Sequence, residues 1–150
     1  MPQFETSTHL RCEIDRLFDF LIRPHRVLEI LPEDSGVTYT SVPEKLTLGS
    51  RVEFDLRGFG PVQNVIHEVV EFTAPTRFVE AQKQGPLPHW RHEHVLEPVD
   101  GALVKLVDRI DFAPPTGLAG LLVTEARIRK SLEKGFAHRY QRLKMLIESV

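Results

Sequence analysis

The chain has 150 residues, 41% of them hydrophobic and 27% charged, and a net charge of -2. A chain of that length can bury a core without metal or disulfide, and its weak negative charge leaves no electrostatic case for nucleic acid or an anionic membrane surface. Cys12 is the only cysteine, so an intramolecular disulfide is excluded and a buried, inert thiol is expected. The opening MPQFETST lacks the basic-then-apolar pattern of a secretory leader, and no apolar run approaches the roughly 20 residues of a membrane span. One cytoplasmic domain spanning 1–150 is expected, without repeats or low-complexity segments.

In chain order, Phe4 to Arg11 alternates and is rich in Thr, which predicts a strand. Asp15 is the expected N-cap of a short helix whose apolar side carries Leu17, Phe18 and Leu21. Pro24 ends that helix and opens a second one with Val27, Leu28 and Leu31, closed by Pro32. The punctuation then becomes that of β-structure. Strands are predicted over Val37–Val42, Arg51–Arg57, Val62–Phe72 and Arg77–Gln84, followed by a hairpin that turns at Asp100-Gly101. Val52, Phe54 and Leu56 alternate with charged residues, as on the inner side of a sheet with one buried face. Gly58 and Gly60 lie in a turn, since a lone GxG without a following helix is no phosphate loop. From Leu118 to Val150 there is no proline. Leu118, Leu122, Leu132, Phe136, Tyr140, Leu143 and Ile147 recur at helical spacing, so one long amphipathic helix is expected to cover the sheet.

The stretch HWRHEH, residues 89–94, is the chemically richest part of the chain. Its reading depends on the hairpin register, because a one-residue slip moves every side chain to the other face. A three-residue turn pairs Leu96 with Val104, His94 with Leu106, His92 with Asp108 and Trp90 with Ile110. That register gathers Trp90, His92, His94, Leu96, Leu106, Asp108 and Ile110 on one inward face and turns His89, Arg91 and Glu93 outward. A two-residue turn scatters apolar and charged groups over both faces and is rejected. With His92 opposite Asp108, a hydrogen bond between them is expected.

The segments FDFLIRPHRVLEILP (18–32), GPLPHWRHEHVLEP (85–98) and EKGFAHRYQRLKMLI (133–147) resemble the START-like helix-grip superfamily, in particular its bacterial polyketide cyclase/dehydrase-like members. The resemblance spans essentially the whole chain. It implies an α+β fold in which a curved antiparallel sheet of about six or seven strands wraps around a long C-terminal helix, with two short helices after the first strand. It also implies a cavity between sheet and helix for a hydrophobic or amphipathic small molecule such as a lipid or polyketide. No catalytic set transfers from the family.

The expected ligand-binding residues are Trp90, His92, His94, Asp108, Phe54, Leu96, Leu106, Ile110, Leu122 and Arg129. The aliphatic and aromatic groups would supply apolar area and the polar ones orientation. Arg129 has an alternative as an exposed ion pair with Glu125 one helical turn away. An enzymatic alternative uses the pair His92 and Asp108 for proton transfer in a cyclisation or dehydration. A minor alternative is a metal held by His92 and His94 with Asp108 opposite, but the HxH motif stands without a second histidine motif, so no metal or cofactor is assigned. A small-molecule ligand is the expected partner, and a monomer or a homodimer fits equally.

Overall fold

The computed structural model describes residues 1–58 and 60–148. In chain order the elements are β1 (Gln3–Arg11), α1 (Ile14–Leu21), α2 (Pro24–Leu28), β2 (Val37–Ser41), β3 (Arg51–Leu56), β4 (Gln63–Thr73), β5 (Arg77–Gln84), β6 (His89–Asp100), β7 (Leu103–Ala113), α3 (Ala119–Leu122) and α4 (Glu125–Glu148). Among the described residues the seven strands pair antiparallel in one curved open sheet of order β1-β7-β6-β5-β4-β3-β2. The fold is the α+β helix grip expected from the sequence.

Local chemistry explains the helical entry. Glu13, not Asp15, occupies the N-cap of α1; Asp15 lies in the first turn, where its charge favours the helix dipole. Leu17, Phe18, Phe20 and Leu21 are buried. Pro24 starts α2 because its missing N–H would be unpaired there anyway. Between the two helices, Arg23 grips the Asp19 carboxylate through Nε at 3.0 Å and Nη2 at 3.2 Å. Gly36 then turns the chain into β2 with φ of 79°, and a Cβ there would collide with the Arg57 carbonyl oxygen.

Two bulges curl the sheet. On β4 and β5 the register shifts between Ile66 and His67 and again between Val69 and Glu71. An extra residue bends the strand and re-aims the side chains that follow. Val65, His67 and Val69 therefore share the concave face with Phe72, which lies edge-on to Phe18 at 5.5 Å. The convex face carries a lattice of ion pairs. Arg77 bridges Glu71 (2.9 Å) and Glu93 (2.5 Å), Arg91 reaches Glu71, and Arg109 bridges Glu93 (3.3 Å) and Glu5 (2.5 Å). Arg91 and Glu93 are thus outward, as expected, but half-buried in this lattice.

The last hairpin differs from expectation by two residues. Leu96 faces Leu106, His94 faces Asp108 and His92 faces Ile110. Pro98 faces Val104, but Asp100 faces Leu103, so Val99 is an extra residue in β6. Pro98 cannot donate to the ladder, and a bulge beside it accommodates that defect. The turn itself is Gly101-Ala102, held by the Ala102 N–H donating to Asp100 Oδ1 at 2.8 Å. Because the shift is even, the inward set keeps its face while every cross-strand partner changes.

The C-terminal stretch is not one helix either. Thr124 interrupts it and caps α4, accepting the Arg127 N–H on its hydroxyl at 3.2 Å and the Ile128 N–H on its carbonyl at 3.0 Å. Leu118 and Leu122, expected on the buried stripe, lie before the break and are 84% and 69% exposed. Beyond it, Ile128 and Phe136 close a core with Phe4, Ile110 and Phe112, while Leu143 and Ile147 join the larger core under α1. Arg16 donates to the Ile147 carbonyl at 2.5 Å, a cation at the helix C-terminus where the dipole favours it. Ser149 and Val150, the end of the expected helix, lie outside the described residues.

Candidate functional site

A cavity of about 950 Å³ lies between the concave side of β2–β6, α2 and the first half of α4. Of the ten expected site residues, Phe54, Trp90, His92, His94 and Leu122 line it. The other five do not. Leu96, Leu106 and Ile110 are fully buried in the cores beside it. Arg129 turns to the β1 edge, donating to the Gln3 carbonyl at 2.8 Å and lying over the Phe112 ring. It sits 3.6 Å from Glu125, the ion pair weighed as its alternative. Asp108 is 1% exposed and lies behind the histidines, not in the wall.

Asp108 organises what stands in front of it. Its Oδ2 accepts the Tyr140 hydroxyl from α4 at 2.6 Å. Its Oδ1 accepts His92 Nε2–H at 2.7 Å, a diagonal reach from the neighbouring row, and lies 3.3 Å from His94 Nδ1 without hydrogen-bond alignment. His94 points its Nε2 to Glu80 of β5 at 2.9 Å. The two imidazoles stack at 3.7 Å, with Phe78 closing the other face of His94 at 4.0 Å. His67 adds a further imidazole to the wall, edge-on to Phe54 at 5.2 Å.

The protons follow from this geometry. Burial would raise the Asp108 carboxyl, but the hydrogen bond from His92 and the nearby charge of His94 overcome it and hold it well below the carboxylate range. Glu80 is likewise brought down to about 2, burial being overcome by His94. Two stacked imidazoles in contact cannot both carry charge. Burial works against the imidazolium of His94, yet Asp108 and Glu80 flank it and its pKa is raised. His92 is pushed down to about 4 by burial and by the His94 cation, against the pull of Asp108. Burial lowers His67 as well and drives the Tyr140 hydroxyl up, with Asp108 adding to the effect. The cluster therefore favours the charged form of His94, set between the Glu80 carboxylate in the wall and Asp108 behind it, with His92, His67 and Tyr140 held neutral around them.

Glu80, His92 and His94 each bring a potential donor atom within 4.8 Å of the others. Their orientation does not suit a metal. Rings stacked at 25° keep their in-plane lone pairs in two nearly parallel planes, and both Nε2 atoms are already engaged by carboxylates. The set fits a proton-bearing network better than a tetrahedral centre.

Sequence reasoning missed Glu80, His67, Tyr140, Tyr39 and Arg139. Glu80 carried a signal, since it alternates with Phe78 and Gln82 along one side of β5. Tyr140 already stood on the apolar stripe of α4. Their meeting at Asp108 and His94 depends on long-range pairing.

The family described as Domain of unknown function (DUF8410) matches residues 22–146. The chain belongs to that family. No curated protein matches the sequence significantly. Among solved structures, a START superfamily protein from Mycobacterium smegmatis superposes with a TM-score of 0.73 at 11% identity, covering 98% of this chain and 97% of that one. The Zhui aromatase/cyclase of Streptomyces sp. R1128 gives a TM-score of 0.70 at 16% identity over 97% and 90% of the two chains. Ginseng major latex-like protein 151 of Panax ginseng gives 0.70 at 13% identity over 97% of both. At these identities the likeness is one of fold, and it places this DUF8410 chain in the START-like architecture. No helix among the described residues is long and apolar enough to cross a membrane.

Proposed function

We propose that the protein binds a hydrophobic or amphipathic small molecule, of lipid or polyketide type, in the cavity between sheet and α4. The cavity itself carries this reading: its 950 Å³ is of the size that encloses such ligands. Val52, Phe54, Val65 and Trp90 offer apolar area on one side, and His67, Glu80, His92 and His94 offer a few convergent polar groups on the other. Trp90 is the only tryptophan, so its fluorescence reports the cavity directly. Titration with medium-chain fatty acids or aromatic polyketides should give a saturable change in Trp90 emission. An emission unchanged by every such probe, together with native mass spectra showing only the bare chain, would refute binding.

A cyclase or dehydratase activity is the second reading, and the His92–Asp108 pair favours it. With Nε2–H anchored on Asp108, His92 has Nδ1 as a proton acceptor. The burial that keeps this imidazole neutral also makes it a weak base at pH 7, because proton transfer works best near the operating pH. Binding is therefore the primary reading. Turnover of a bound polyketide that disappears in His92→Gln would reverse the order.

A further inference from the structure

Several outer arginines of the sheet are matched to carboxylates: Arg51 to Glu68, Arg77 to Glu71 and Glu93, Arg109 to Glu5 and Glu93. Two arginines of α4, Arg127 and Arg139, belong to the cavity wall. Arg127 gives one N–H to the Leu122 carbonyl at 3.1 Å and is exposed to solvent, which serves its remaining donors. Arg139 has no ion pair or hydrogen bond among the described residues; its guanidinium lies over the Phe136 ring at 4.8 Å and is half-buried. A guanidinium carries five N–H donors and no acceptor, and stacking on a ring satisfies none of them. Across the cavity the Tyr39 hydroxyl also lacks a partner among the described residues, and burial and Glu80 raise it to about 12, so it remains a donor. Arg139 and Tyr39 both line this one cavity, together with His92 and Glu80.

We propose, resting on the cavity-binding reading above, that Arg139 and Tyr39 form the headgroup site of the cavity and that its ligand is an amphipath bearing a single carboxylate. Two unpaired donors lining one cavity call for an acceptor, and a guanidinium pairs best with a planar carboxylate. Glu80 and Asp108 limit the charge. Both are ionised, only His94 stands between them, and a dianion would meet their repulsion. The apolar body of the ligand then runs along Val52, Phe54 and Val65 towards Trp90.

The test uses four chain-matched probes read by Trp90 fluorescence: dodecanoate, methyl dodecanoate, dodecylamine and dodecyl phosphate. Dodecanoate is expected to bind about 10-fold or more tighter than the methyl ester, with the amine weakest and the phosphate below the carboxylate. Arg139→Gln should bring dodecanoate down to the affinity of the ester and leave the ester within about twofold. Continued ester binding shows that this variant is folded, and Arg139→Lys should keep part of the preference. Equal affinity for acid and ester, a preference that survives Arg139→Gln, or tighter binding of the phosphate would each overturn the carboxylate site while leaving the cavity reading intact. Binding of none of the four would overturn both.

Discussion

Removing the Asp108 carboxylate would strand two imidazoles and a phenol at once. His92 and Tyr140 donate to it, and His94 owes part of its charge to it. Asp108→Ala is therefore expected to cost about 3–5 kcal/mol in urea-unfolding free energy, the range for breaking a buried charged partnership from one side. Tyr140→Phe removes one donor and leaves the imidazoles in place, so about 1–3 kcal/mol is expected; a cost for Tyr140→Phe as large as for Asp108→Ala would contradict this assignment. The same groups set the pH dependence. His92, held near 4 against an ordinary 6.5, binds fewer protons when folded, so its share of stability is lost as pH falls from 6.5 to 4. That share is on the order of 3 kcal/mol. Below it, Glu80 and Asp108, both lowered, lose theirs as they protonate. His94 is raised, so its contribution is full below 6.5 and is lost as pH climbs through its folded value. Stability from this cluster should peak near pH 6.5, and His92→Gln should flatten the fall between 6.5 and 4 in urea midpoints measured across that range. Strand parity made His92, His94 and Asp108 legible as one inward group in the sequence. The partnership of His94 with Glu80 was not, because it depends on how β5 registers against β6, and nothing local in RFVEAQ encodes that.

At the scale of elements, the same division holds between short-range and long-range information. Period-two alternation located the strands closely, with Arg77–Gln84 observed as expected, since a one-face-buried strand writes its burial into adjacent residues. The register of β6 on β7 was misplaced because a bulge at Val99 inserts a residue that no periodicity announces. The single expected C-terminal helix failed for a comparable reason. Leu118 and Leu122 continue the apolar spacing of α4, but Thr124 offers its hydroxyl to the Arg127 N–H and starts the helix anew. Thr124→Ala should cost about 1 kcal/mol through loss of that cap. It should also raise amide exchange in the first turn of α4 while leaving the second half of the helix, anchored by Phe136 and Leu143, as protected as before. Uniform deprotection of α4 would mean instead that the helix opens as one unit.

For the whole molecule, the arrangement of cores explains how a cavity survives in a small protein. One cluster packs α1, the sheet and the end of α4, and a second packs Phe4, Ile110 and Phe112 against Ile128 and Phe136. Both anchor α4 over the β1 and β7 side. The β2–β5 side curls over space that side chains do not fill, a shape set by the bulges of β4 and β5. An unfilled cavity forfeits packing that a ligand can restore, so binding should appear as stability. At a free dodecanoate concentration 100 times its Kd, the unfolding free energy is expected to rise by about 2.7 kcal/mol by mass action alone. Val65 sits at the buried base of the cavity. Val65→Phe adds volume there, and two effects follow if the space is a binding site. The unliganded protein should unfold at a somewhat lower urea midpoint, because Val65 also packs in the larger core and a bulkier ring strains it. The increment from dodecanoate should shrink to a fraction of its former size, because the ring occupies the path of the chain. An unchanged increment in Val65→Phe would place the ligand elsewhere on the molecule.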